Sequence, residues 1–421
     1  VADRTVARRR PKPAARQPHL RLVRASDLVR PTPTPAAIAR RNLTLLLAPA
    51  ALLTVIGLVM ILSAGSISAV EGYGTSFWYF NRQTLYAAAG VVGLVVTARL
   101  PYTFWRRAAI PMLLMLLPVM LLTLHPAFGS SLYGASRWID LGPITLQPAE
   151  FAKLLTICAA AAILSRPWKH LQRPRDAFLP LGPLVAVVAG VVLLQKDLGT
   201  AIVICGSVFL LLFAAGLRLR HLLWTGLAGA GATAFFIFGT AYRRTRFLEA
   251  WLNSELDPSG AGWQLRQGLI ALGSGGWFGV GLGNSRQKWD YLPNAHSDFV
   301  FAVLGEELGL IGALAVLSLF GVLLFAGIRI AMNAPDTFGR LLAAGITGWI
   351  GLQTLVNLGA VTGLLPITGV PLPFLSFGGT ALVVTLAGVG VIASVGLEGV
   401  RSAERRHARE RSRSGGGGSN R

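Results

Sequence analysis

Ten apolar runs, each near the ~20 residues a helix needs to cross a hydrocarbon core, constrain this chain more than any other feature. They cover 45–66, 78–98, 108–125, 148–165, 180–195, 199–216, 222–241, 298–326, 341–365 and 378–398. None shows the strict alternation of a barrel strand, so the runs predict helices. Composition agrees: 53% of residues are hydrophobic and 14% charged, against about 25% charged in a soluble domain. A soluble enzyme and a disordered chain are both excluded. The fold class is an all-α polytopic membrane protein with about ten transmembrane helices and one large extracytoplasmic loop containing short helices.

Charge sets the orientation. The loops 99–107, 166–179, 217–221 and 327–340 hold eleven Lys and Arg, whereas the short loops on the other side hold Arg82, Arg137 and Lys196. By the positive-inside rule the first set is cytoplasmic, and with an even number of spans both termini are too. The net charge of +21 is concentrated in the tails, with +9 on residues 1–41 and +5 on residues 401–421. Beside an anionic membrane these read as flexible cytoplasmic tails, not as a nucleic-acid surface. The expected layout is a basic, Pro-rich tail over 1–43, a membrane domain over 44–400 and a second basic tail over 401–421. That second tail ends in a low-complexity Gly-rich linker. No cleavable signal peptide is expected before the first run. Cys158 and Cys205 lie within apolar runs and imply no disulfide framework.

The loop over 242–297 is far longer than the others, as functional loops often are. Phe247, Leu248, Trp251 and Leu252 recur beside Arg243, Arg244 and Arg246 at the spacing of an interfacial amphipathic helix. A second short helix is expected over 262–273, followed by a compact Gly-rich turn over 273–283. That turn lacks the spacing of a dinucleotide fingerprint.

Polar residues at the ends of apolar runs form four clusters, each costly unless paired or wetted. The first is Gly134–Gly142 with Gln147-Pro-Ala-Glu-Phe-Ala-Lys153. Glu150 and Lys153 are i,i+3 neighbours that either neutralise each other at a helix end or join Arg137 and Trp138 in a charged rim. The second is Gln195-Lys-Asp-Leu-Gly-Thr200, a polar hairpin containing Asp197 that could equally be a solvated turn. The third is Asn294–Gly309. Here Asp298 follows His296 and Ser297 at the mouth of a span, as an N-cap or a reactive carboxylate. Glu306 and Glu307 lie about 12 Å deeper, where a G-x-x-x-G step suits a structural or coupling role. The fourth is Thr362–Gly379, whose prolines and glycines forbid a continuous helix and predict a non-helical segment lining a cavity.

These four motifs, in this order on ten spans, resemble the SEDS family of polytopic bacterial cell-wall proteins over about residues 45–400. The run Lys288–Ala302 and the stretch Gly134–Lys153 resemble the division branch more than the elongation branch. Thr380 stands where many relatives have Ser, which keeps the hydroxyl. The resemblance implies a peptidoglycan glycosyltransferase that polymerises lipid II at the outer face of the cytoplasmic membrane, at the division septum. Its implied partners are a class B penicillin-binding protein transpeptidase and other division membrane proteins. It maps the family's key carboxylate onto Asp298, with Arg137, Glu150, Lys153 and Asp197 as further polar positions.

The chemistry fits that residue set. Displacement of undecaprenyl diphosphate needs a base for the attacking 4-hydroxyl and positive charge at the diphosphate. Asp298 is the candidate base, and Arg137, Lys153, Arg243 and Arg244 are candidate phosphate partners. Trp138, Glu150, Asp197, His296 and Ser376 complete the expected substrate-binding set. A single displacement inverts the anomeric centre and needs no second carboxylate. No zinc spacing or P-loop is present, so no cofactor is required; a divalent cation, Mg²⁺ or Mn²⁺, at the diphosphate is compatible. The rival readings are a lipid II flippase or transporter, which would need a midplane site such as Glu306 and Glu307 could supply, and a division scaffold.

Overall fold

The computed structural model describes residues 35–125, 129–132, 135–142, 144–166, 174–239, 244, 261–289 and 291–415. Among these are eleven helices: α1 (Pro35–Tyr73), α2 (Trp78–Arg99), α3 (Thr103–Leu122), α4 (Pro148–Leu164), α5 (Pro174–Leu194), α6 (Leu198–Ala214), α7 (Leu219–Phe238), α8 (Ala261–Ser274), α9 (Val300–Met332), α10 (Thr337–Val361) and α11 (Gly379–Gly415). Each of the ten expected spans coincides with one of them, and α8 is the short loop helix expected at 262–273.

Six helices, α1, α3, α7, α9, α10 and most of α11, are long and apolar enough to cross a membrane by length and composition. Apolar stretches within α5 and α6 are shorter. Helix α4 has 17 residues, and all but Phe151 are buried. A helix sheathed by its neighbours does not need the length or uniform hydropathy of one that faces lipid.

Small residues let the inner helices approach closely. In α10, Gly345 packs against Ile157 of α4 and Leu211 of α6. On α11, Gly390 admits Thr97 of α2, whose hydroxyl donates to the Ala387 carbonyl at 2.9 Å. A β-carbon on Gly390 would fall 2.1 Å from the Thr97 hydroxyl oxygen, so this crossing excludes larger residues.

Three features depart from the sequence reading. The α3–α4 connection contains a three-stranded antiparallel sheet, β1 (Gly129–Leu132), β2 (Ala135–Asp140) and β3 (Thr145–Leu146), a small unexpected addition to a fold that is helical as expected. In register, Ile139 of β2 faces Gly129 of β1 and Leu146 of β3. Strands this short give almost no periodic signal in sequence. Second, α11 continues through the basic stretch expected to be a flexible tail, because Ala, Glu and Arg there are strong helix formers. Third, α9 is broken at Gly309, where φ is 66° and ψ −169°. The expected amphipathic helix around Phe247–Leu252 lies outside the described residues.

Candidate functional site

Pro148, pre-set for a first helical turn, starts α4. The backbone N–H of Gln147 just before it donates to Thr380 Oγ1 at 3.1 Å, fixing the start of α4 against the start of α11. One turn on, Lys153 Nζ meets Glu150 Oε1 at 2.8 Å, and both side chains are at most 2% exposed. Lys153 also donates to Gln353 Oε1 on α10 at 3.0 Å and lies 5.6 Å from the centre of the Trp349 ring. Gln353 in turn donates through Nε2 to the Pro371 carbonyl at 2.9 Å. The ion pair is therefore wired to the non-helical segment between α10 and α11.

Arg137 is not part of that pair. Its Nη1 lies 3.1 Å from Asp197 Oδ2, which also accepts from Gln147 Nε2 at 3.2 Å. The other Asp197 oxygen accepts from the Thr200 backbone N–H at 3.0 Å and caps α6. One carboxylate thus joins the sheet, the α5–α6 hairpin and the start of α4, which a solvated turn would not do. Trp138, next to Arg137 on β2, stands in register with Ser130 of β1. The charged residues Arg137, Glu150 and Lys153, expected from sequence in one rim, belong to two separate ion pairs.

Segment 362–378 is non-helical, with positive φ at Gly363, Gly369 and Phe374. Side chains take the place of a helical ladder here. Gln83 of α2 donates to the Ser376 carbonyl at 3.2 Å, and Asn357 of α10 donates to the Val370 carbonyl at 2.9 Å. The Ser376 hydroxyl accepts from the Leu372 N–H at 2.8 Å, so this residue closes a turn and is 4% exposed. The segment also contacts the α5–α6 hairpin, with the Thr368 carbonyl 2.6 Å from where a β-carbon would sit on Gly199.

Asp298 stands beside this segment, half-buried at the start of α9. Its Oδ2 lies 3.5 Å from the position a β-carbon would take on Gly369, an ordinary contact distance, and it is the positive φ of 69° that favours glycine there. The Asp298 carbonyl accepts from Asn357 Nδ2 at 2.9 Å, the same amide that holds Val370. Two residues back, His296 packs on Tyr79 with ring centres 4.2 Å apart and against Phe377 at 5.8 Å. Burial among these rings pushes its imidazole pKa down to about 4. His296 is thus neutral near pH 7, and its carbonyl accepts from the Phe377 N–H at 2.9 Å.

Glu306 and Glu307 are 1% and 0% exposed and serve the Gly-rich turn. Glu306 accepts from the Ser285 hydroxyl and from the Arg286 N–H at 3.0 Å. Glu307 accepts from the Ser63 hydroxyl of α1 and from the Ser285 N–H at 3.3 Å. Their carbonyls accept from Val280 and Gly281 across the break in α9. Arg243 lies outside the described residues, and Arg244 is exposed and forms no ion pair among them. Among the described residues no group of three or more His, Cys, Asp and Glu side chains could hold a metal ion.

Sequence reasoning confined to ionisable groups missed Gln83, Gln353 and Asn357. The signal was present: Trp349, Gln353 and Asn357 recur every four residues along α10, which puts hydrogen-bonding groups on one face of an apolar helix.

A helical membrane bundle whose polar residues from four distant motifs gather around one broken segment, with a carboxylate at its edge, is a multi-pass membrane protein built around a polar site. The family model described as cell cycle protein (FTSW_RODA_SPOVE) matches residues 43–399, and the chain belongs to that family. It is 40% identical over 361 residues to the probable peptidoglycan glycosyltransferase FtsW of Trichlorobacter lovleyi, covering 86% of this chain and 94% of that one. It is also 40% identical over 344 residues to the stage V sporulation protein E of Bacillus subtilis, with 82% and 94% covered. Among solved structures it resembles a chain described under "Structural coordination of polymerization and crosslinking by a peptidoglycan synthase complex", with a TM-score of 0.70 and 31% identity over 84% of this chain and 97% of that one. It also resembles the rod shape determining protein RodA of Thermus thermophilus, with a TM-score of 0.62 and 31% identity over 84% and 96%.

Proposed function

We propose that the protein is a peptidoglycan glycosyltransferase that polymerises lipid II at the outer face of the cytoplasmic membrane, at the division septum, with both termini in the cytoplasm. The observation that carries this reading is the Asp298 carboxylate, half-buried and turned to Gly369 where the four motifs meet. Such a carboxylate can take the proton of an attacking sugar 4-hydroxyl as its oxygen bonds to the anomeric carbon. The bond from that carbon to the diphosphate oxygen breaks in the same displacement, and undecaprenyl diphosphate leaves with the electron pair. The anomeric centre inverts.

Arg137 is the cation the site can offer the leaving group, being a quarter exposed beside Asp197. Lys153 is sealed from solvent and acts through Gln353 on the Pro371 carbonyl, holding the segment that faces Asp298. Neutral His296 helps set the angle of that segment. A divalent cation accompanying the diphosphate would draw its ligands mainly from phosphate oxygens and water, as Mg²⁺ commonly does. A transporter would need a free midplane site, but both Glu306 oxygens and Oε1 of Glu307 are taken up by Ser63, Ser285 and Arg286. The family's synthase neighbour supports a class B penicillin-binding protein as the partner that cross-links the new strand.

The test is the purified full chain, alone and with such a transpeptidase, given labelled lipid II in detergent. Glycan polymer made by the wild type and not by Asp298→Asn is expected. Absence of polymer under both conditions, from folded protein, would overturn the assignment.

A further inference from the structure

The Gly-rich turn after α8 carries no charge from Gly273 to Gly283, and it turns large apolar side chains outward. Phe278 is 82% exposed, Trp277 67% and Leu282 56%. Exposed apolar side chains on a mobile loop would mean little, but this turn is pinned. Val280 and Gly281 donate to the Glu306 and Glu307 carbonyls, both at 3.0 Å. Leu310 and Ile311 donate to the Gly276 and Trp277 carbonyls at 2.9 and 3.2 Å. Gly275 and Gly279 have no room for a β-carbon against Gly305 and Glu307. The turn is therefore a rigid splice set into the break of α9.

The height of the splice follows from α9 itself. From Val300 to Glu307 every residue is buried in protein, whereas Leu310, Ile311 and Leu314 are exposed apolar residues. The part beyond the break, 310–332, is about 34 Å long at ~1.5 Å per residue, close to the ~30 Å of a hydrocarbon core. The lipid-facing length of α9 thus begins at Gly309, where the turn is attached. Trp277 and Phe278 continue the exposed apolar surface of Leu310 and Ile311 upward from that level, the depth at which aromatic side chains favour the membrane interface.

We infer that the 275–282 turn is a membrane-seated wedge that inserts Trp277 and Phe278 into the outer leaflet beside α9, its occupant being the phospholipid interface. Outer here rests on the orientation proposed above. Because Glu306 and Glu307 fasten the wedge to the half-helix that follows Asp298, its seating fixes how far the proposed base stands above the acyl chains. For a lipid-linked sugar that distance decides whether the headgroup meets the base.

The test uses the full chain in lipid nanodiscs without any partner, with Cys158 and Cys205 replaced by Ala and an environment-sensitive dye on Phe278→Cys. Dyes on Leu314→Cys and Asp140→Cys provide the lipid and water references. The expected result is blue-shifted emission at 278, quenched several-fold more by doxyl lipids labelled near the headgroup than by a water-soluble quencher. Quenching only from the aqueous phase would overturn the proposal. So would a dye shielded from both quenchers, which would mark a surface covered by protein. Leu282→Cys reports on the same turn if Phe278→Cys fails to fold.

Discussion

Lys153→Met removes the ammonium from a pair in which both partners are at most 2% exposed, and leaves Glu150 buried without its cation. Glu150 Oε2 already has no hydrogen-bond partner, so no second contact compensates. Breaking a buried pair from one side costs about 3–5 kcal/mol; at 1.4 kcal/mol per tenfold, that is a fall of roughly 10²- to 4 × 10³-fold in the folding equilibrium constant. Removing both charges lifts most of the penalty, because a neutral pair of similar volume is often no less stable than the ion pair. The double variant Glu150→Gln/Lys153→Met should therefore recover to within about 2 kcal/mol of wild type. Unfolding by SDS in mixed micelles measures both, and lipid II polymerisation is followed on the same preparations. Since Gln353 keeps its bonds to Trp349 and Pro371 in either variant, polymerisation should return with stability in the double variant, to within about tenfold of wild type. A single variant as stable as wild type would refute the buried-pair reasoning. A stable but inactive double variant would show that the ammonium reaches the substrate, refuting its assignment as a positioning group.

Asp298→Asn should lower polymerisation by about 10²- to 10⁴-fold with little change in melting, since Asn keeps the size of this half-buried side chain and the N-cap of α9 is Phe299; kinetics and a melting curve on one preparation check this. The His296 pKa of about 4 in the folded protein lies below its ordinary 6.5, so the unfolded chain binds more protons between those values. Stability should therefore fall as pH drops from 6.5 through 4 and be unchanged above it, and His296→Phe should flatten that part of the pH profile in SDS titrations. Gly309→Ala adds backbone strain of about 1–3 kcal/mol, because φ 66° with ψ −169° is open essentially only to glycine, and overpacking of about 1–3 kcal/mol, its β-carbon falling 2.4 Å from Gly279 N. Gly321→Ala in the same helix meets nothing within 4 Å and should be neutral or stabilising in the same titration. If both termini are cytoplasmic, as proposed, Asp140→Cys should react with an impermeant thiol reagent on intact cells and Ser402→Cys only after permeabilisation.

The helices were legible because a lipid-facing or bundle-facing helix needs a long apolar run whatever its neighbours do. Glu150 and Lys153 were legible as a pair because three residues of helix place them together. Arg137 and Asp197 were not, since sixty residues separate them and only the sheet brings one to the other. Gly305 and Gly309 read as a close-packing step, and both are closely packed, but Gly309 also breaks the helix, and sequence does not distinguish a glycine used for lack of bulk from one used for φ as well. The amides of α2 and α10 were overlooked because they carry no charge, although each satisfies a backbone carbonyl.

The broken segment also determines when in its own synthesis the protein becomes complete. Chains are made and inserted from the N-terminus, at about 5–20 residues per second. Gln83 emerges almost 300 residues before the Ser376 carbonyl it will hold, and Gln147 must await Thr380 of α11. Until residues 376–380 have been made, Gln83 and the Gln147 N–H lack these partners, although the α10 amides Gln353 and Asn357 can already meet Lys153 and the Asp298 carbonyl. A chain stalled after α10 carries Asp298 but not the Gly369 segment that faces it. On the proposed reading, the nascent protein is therefore inactive until residues 362–380 have been made.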